Sequence, residues 1–110
     1  VININNLITA TLEPLGVPVS LRRYAGTSPT YITFFEYNEQ GEEWAQNQET
    51  ATGYYMQVDI WSKTDYTDLS AQVLAALIAV GFKRTMAIDL SFEPNTLMYH
   101  KVFRMTYVDF

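Results

Sequence analysis

Residues 53–82 read GYYMQVDIWSKTDYTDLSAQVLAALIAVGF, and this stretch decides the fold. Its first half alternates. Tyr54, Met56, Val58 and Ile60 make one apolar face, and Tyr55, Gln57, Asp59 and Trp61 make a second, half-polar face, which is the period of a β-strand. Past Ser62 the period changes to that of a helix. Thr64 or Asp65 is placed to cap it, and Asp68 in the first turn suits the positive end of the helix dipole. Leu69, Val73, Leu77 and Val80 form one stripe, Ala75, Ala76 and Ala79 permit close approach to a sheet, and Gly81 stands where a helix ends.

Before this stretch, residues 38–52 (NEQGEEWAQNQETAT) carry Glu39, Glu42, Glu43 and Glu49 around one large apolar residue, Trp44. A structureless loop of this length is uncommon in a small domain, so the segment is either a long hairpin with a projecting tip or a mobile segment that orders on a partner. Residues 30–37 (TYITFFEY) are strand-like through their β-branched and aromatic side chains. Earlier still, Ile4, Leu7, Ile8, Thr11 and Leu12 recur at helical spacing over residues 4–13, with Asn3 or Asn5 as the cap and Pro14 and Gly16 as the stop. Pro18 resets the chain to a short strand at 19–23, and 25–29 is a loop by composition. After Gly81, residues 82–89 and 98–108 alternate on either side of a turn at Pro94-Asn95. The last strand puts Tyr99, Lys101, Phe103, Met105 and Tyr107 on one face and His100, Val102, Arg104, Thr106 and Val108 on the other.

The expected fold is α+β: one domain over residues 1–110, in the order α-β-β-β-α-β-β, with a mostly antiparallel five-stranded sheet, two helices on one face and a long hairpin between the second and third strands. The uncovered face, rich in Tyr, Trp and Gln, is the expected subunit contact.

Composition narrows the function classes. Hydrophobic residues make 48% of the chain and aromatics 15%, which excludes wholesale disorder. A net charge of −5 opposes tight binding to a phosphate backbone. The chain has no cysteine, so disulfide scaffolds and thiolate metal sites are excluded, and an intracellular origin fits. No run has the length of a membrane span, and no charged leader precedes an apolar core, which argues against a signal peptide. The first residue, Val1, reads as a start from which Met has been removed or trimmed.

Chemistry is sparse. His100 is the only histidine and has no second histidine or cysteine for a zinc site, so it reads as an ordinary surface or interface residue. Asp59, Asp65, Asp68 and Asp89 do not match the spacing of a calcium loop. No G-x-S-x-G, phosphate loop or dinucleotide fingerprint occurs. The doublets Arg22-Arg23 and Lys83-Arg84 split across opposite faces if they lie on strands, so neither makes a flat basic patch. No catalytic, metal or cofactor residue is expected. Trp44 either anchors an interface, with Glu42, Glu43 and Glu49 as a polar rim, or folds back on its own hairpin.

Two segments carry a family resemblance: YYMQVDIWSKTDYTDLSAQVLAALIAVGFKR at 54–84 and SPTYITF at 28–34. With the order of elements, they resemble the tail-terminator, or tail-completion, proteins of long-tailed bacteriophages and prophages. The resemblance spans nearly the whole chain and rests on hydrophobic patterns. It implies a non-enzymatic structural protein of the virion neck, assembled in the host cytoplasm. Such a protein forms a homo-oligomeric ring, a hexamer in that family, which ends the tail tube and presents the surface that joins the head. The implied partners are the tail-tube protein and head–tail connector proteins, with DNA passing an acidic lumen without specific binding. No cofactor and no membrane are implied. Glu42, Glu43 and Trp44 on the arm, and Tyr55, Gln57, Asp59 and Trp61 on the strand face, are the expected interface residues. Other readings stay open: another connector or tail-tube component, a ligand- or peptide-binding module with a pocket at Tyr54, Phe103 and Tyr107, or an enzyme built on acidic side chains.

Overall fold

The computed structural model describes the backbone of residues 2–45 and 48–109, and the side chains of 2–38 and 51–109. Along the chain lie α1 (Ile4–Leu12), a 3-10 turn (Glu13–Leu15), β1 (Val19–Leu21), β2 (Thr30–Ala45), β3 (Gln48–Ser62), α2 (Thr67–Ala79), β4 (Lys83–Glu93) and β5 (Met98–Asp109).

α1 starts where Asn3 accepts the Asn6 amide on its side-chain oxygen at 3.1 Å. Ile4, Ile8 and Leu12, one turn apart, are buried. Gly16, at φ 86°, ends the 3-10 turn in a conformation that a side chain disfavours. α2 begins at Thr67, one or two residues later than the caps read from the sequence imply. The Asp65 carboxylate accepts the Thr67 amide at 2.9 Å and the Thr67 hydroxyl at 2.6 Å, whereas Thr64 caps nothing. Ser70, Val73 and Leu77 form the buried face of α2. Val80, expected in that stripe, is exposed because the helix ends before it, and Ala75 and Ala79 also face outward. Gly81, at φ 112°, makes the stop.

The helices cover one face of the sheet. Ile32 pairs with Ile60, Phe34 with Val58, Val58 with Phe103 and Met56 with Met105, and these residues join α1 and α2 in one core. The core side chains of β3, Met56, Val58 and Ile60, are fully enclosed, as expected for apolar faces that leave water together.

The sheet is mixed, which corrects the mostly antiparallel expectation. β1 runs parallel to β2, and the remaining neighbours are antiparallel. Adjacent parallel strands normally need a long crossover. Here β1 has only three residues, so the chain at 22–29 has little height to recover before β2 starts. Chain order is also not spatial order. The strands lie β1-β2-β3-β5-β4, with β5 inserted between β3 and β4. β4 is therefore an edge strand. β1 is the other edge.

Residues 38–45 and 48–52 belong to the two longest strands, so the hairpin reading holds for the described backbone. β3 stops pairing with β5 at Thr52–Asp109, while β2 and β3 stay paired to Ala45–Gln48. The ribbon thus outruns the rest of the sheet. A bulge between Glu36 and Asn38 adds Tyr37, whose ring meets Tyr55 edge-on at 6.2 Å.

Candidate interaction surface

The face of the sheet away from the helices is built in rows set by register. The first row is Tyr31, Trp61, His100 and Leu90, running from β2 through β3 and β5 to β4. The second is Thr33, Asp59, Val102 and Ile88, and the third is Phe35, Gln57, Arg104 and Met86.

The middle of this grid is locked by hydrogen bonds. His100 Nε2 lies 3.0 Å from Asp59 Oδ1, and since a carboxylate only accepts, Nε2 donates. Gln57 Nε2 donates to the same oxygen at 3.0 Å, and Arg104 Nε donates to Gln57 Oε1 at 3.4 Å. Trp61 stacks on His100 with ring centres 3.6 Å apart and planes 15° apart, and its indole N–H donates to Thr33 Oγ1 at 3.1 Å. The Arg104 guanidinium lies 4.5 Å over the Tyr37 ring. Such a network fixes rotamers, so the face is rigid before any partner arrives.

Several expectations change here. His100 is buried at 8% exposure, beneath Trp61, and is not a surface residue. Asp59 is 4% exposed, so it supports the face from within and offers little to a partner directly. Asp59 and Asp89 do not approach each other. Asp59 pairs in register with Val102 on the open face and Asp89 with Lys101 on the helix face. Tyr55, Gln57 and Trp61 lie on the open face, half-buried, as the alternation predicts. Glu42, Glu43 and Trp44 lie on the paired ribbon, and their side chains are outside the described residues. Tyr31, Thr33 and Arg104 complete the face with His100 and were not singled out by the sequence. Their alternation was legible, but their neighbours required the register.

The expected splitting of Arg22 and Arg23 also fails. Arg22 takes φ 67°, leaves the strand, and brings both arginines to one shallow cleft with Tyr24, Tyr31, Thr33 and Trp61. Tyr24 packs on Tyr31 at 4.5 Å, and Tyr31 lies 6.2 Å from Trp61, so a row of rings runs across the face to His100.

β4 flanks the rigid centre with apolar side chains. Met86, Ile88 and Leu90 are 37%, 45% and 42% exposed on this face, and β4 pairs with β5 alone. An edge strand with an exposed apolar stripe is a template for further pairing. Its charged residues, Lys83, Arg84, Asp89 and Glu93, leave the Met86, Ile88 and Leu90 stripe itself uncharged.

A second concavity, of about 450 Å3, lies near the start of α2, lined by Lys63, Thr64, Asp65, Tyr66, Asp89 and Tyr99. Tyr66 donates its hydroxyl to Asp89 Oδ1 at 2.6 Å, and Lys101 Nζ donates to the same oxygen at 3.3 Å. The Tyr66 bond, then Lys101, holds the Asp89 carboxyl below its usual range. Burial, then the bond to Asp89, raises the Tyr66 phenol. The Thr67 hydroxyl and amide lower Asp65. These groups satisfy one another, which ties α2 to the sheet. Among the described residues, no three His, Asp or Glu side chains converge as a metal site. Tyr54 and Phe103, read as one wall of a possible pocket, are buried in the core, and Tyr107 packs on Phe82 at 5.2 Å.

No protein-family model and no curated protein matches this chain.

Proposed function

We propose that this chain is a structural subunit of a long-tailed phage particle, forming a ring that ends the tail tube and gives the surface for joining the head. The observation that carries the reading is the edge strand β4. Its apolar stripe of Met86, Ile88 and Leu90 lies open beside a hydrogen-bonded sheet face that needs no reordering to be covered. A closed ring of identical subunits needs two different patches on each subunit. The β4 edge is one. The ribbon that outruns the sheet, or the face itself, supplies another. Tail-tube and connector proteins are the partners in this reading, the virion neck is the place, and DNA crosses the lumen without adhering to an acidic wall. The resemblance at 28–34 and 54–84 supports the tail assignment.

The test is mass by light scattering across a concentration series, with negative-stain images and with Ile88→Asp alongside. A discrete ring lost in the variant, and capping of isolated tail tubes by the wild type, are the expected results. Open filaments would make the chain a tube subunit. A wild type that stays monomeric and leaves tube ends uncapped would end the proposal.

A further inference from the structure

Neither arginine of the Arg22–Arg23 cleft forms an ion pair among the described residues, although Glu93 is near enough to act on Tyr31 at its floor. Both arginines are exposed, and among the described residues the ion pairs are His100–Asp59 and Lys101–Asp89. Arg22 only rests near the Phe35 ring, at 6.0 Å. The cleft itself is about 160 Å3, with Tyr24, Tyr31 and Trp61 as an aromatic floor. Guanidinium pairs beside aromatic rings suit carboxylates, which they bind in a fork geometry.

The matching charge lies at the other end of the molecule. Residues 38–52 hold Glu39, Glu42, Glu43 and Glu49 and no Lys or Arg. The β2–β3 ribbon carries Glu42, Glu43 and Glu49 beyond the end of β5, whereas Glu39 lies level with Tyr107. From Tyr31 to Ala45 along β2 is about 45 Å at the rise of a strand. The arm is therefore out of reach of its own cleft, and the two patches can meet only between copies.

We infer that the acidic β2–β3 arm of one copy docks in the Arg22–Arg23 cleft of a second copy, pairing its glutamates with the two guanidiniums. The contact is heterologous: each subunit gives an arm and offers a cleft, so it propagates until a ring closes. Lys83 and Arg84 are the poorer acceptor, because successive strand residues point to opposite faces. The inference rests on the assembly reading above and names one of its contacts.

The cysteine-free chain permits a direct test. Ala25→Cys sits beside the cleft and Ala45→Cys on the arm, too far apart to bridge within one chain. Mild oxidation of the double variant is expected to give a ladder of covalent multiples, whereas Ala45→Cys with Ala79→Cys on exposed α2 gives none. In parallel, Arg22→Glu/Arg23→Glu, or Glu42→Arg/Glu43→Arg, should raise the concentration for half-assembly about tenfold or more, and combining all four should restore it to within about threefold. Lys83→Glu/Arg84→Glu should shift it less than about threefold.

Discrete oligomers without the Ala25–Ala45 ladder would overturn the inference and leave the ring standing. A four-fold swap that fails to restore assembly would also overturn it. Reversed arginines that abolish binding of a single-stranded oligonucleotide, with assembly unchanged, would reassign the cleft to nucleic acid. Neither ladder nor oligomer at any concentration would remove this inference and the ring together.

Discussion

Asp59→Ala tests whether the open face is held from within. The carboxylate is 4% exposed and accepts from His100 and from Gln57, each at 3.0 Å. Gln57 is half-buried and can turn its amide to water once the carboxylate is gone. His100 cannot, because it is 8% exposed beneath the Trp61 ring. The cost therefore falls on one stranded donor and one lost charge-assisted bond. Removing one member of a buried pair costs roughly 3–5 kcal/mol. This face has no second layer over it, so the lower end applies, about 3 kcal/mol. Asp59→Asn keeps the shape and an acceptor oxygen and should cost about 1 kcal/mol. At roughly 4 °C per kcal/mol for a domain of this size, the two variants should melt about 12 °C and 4 °C below wild type. Urea unfolding followed by far-UV circular dichroism measures both, with an unchanged slope showing that the unfolded state is not altered. A loss under 0.5 kcal/mol for Asp59→Ala, on the order of a surface change, would refute the network argument. So would equal losses for Ala and Asn, which would make volume the cause.

Three further outcomes are expected. Tyr66→Phe should cost about 1 kcal/mol at pH 7, the hydrogen bond to a charged Asp89 discounted for exposure. Its sign with pH follows from both partners: the lowered Asp89 loses its contribution as pH falls below the ordinary carboxylate range, and the raised Tyr66 loses its own as pH rises beyond 10, so wild type and variant should converge at both extremes in urea titrations. Gly81→Ala should destabilise by about 1–2 kcal/mol, since the position is at φ 112° and an added Cβ would lie 3.1 Å from Tyr107 Cε2; a thermal melt unchanged within 2 °C, on the order of measurement scatter, would contradict this. Asn3→Ala should cost about 1 kcal/mol by exposing the Asn6 amide at the start of α1, while Asn3→Asp should restore the wild-type midpoint.

By itself the sequence determined which side of each long strand is apolar. The alternation of Tyr54, Met56, Val58 and Ile60 against Tyr55, Gln57, Asp59 and Trp61 survives unchanged because a strand has a period of two wherever it sits. It also placed both helices, through the spacing of Ile4, Ile8 and Leu12 and of Val73 and Leu77, and marked where Gly16 and Gly81 stop them. What the sequence left open was everything set by lateral pairing. His100 looked like a lone surface histidine because Asp59 and Trp61 are 41 and 39 positions away, and only the insertion of β5 beside β3 brings them together. Arg22 and Arg23 looked split because strand geometry was assumed, and the left-handed turn at Arg22 depends on how a three-residue β1 rejoins β2. The alternation at 82–89 did not say whether Met86, Ile88 and Leu90 would be covered; they are exposed, since an apolar face is buried only where a second layer covers it, and β4 lies at the edge. Local periodicity is a property of a few neighbouring residues. The neighbours of a strand are chosen by the closure of the whole core.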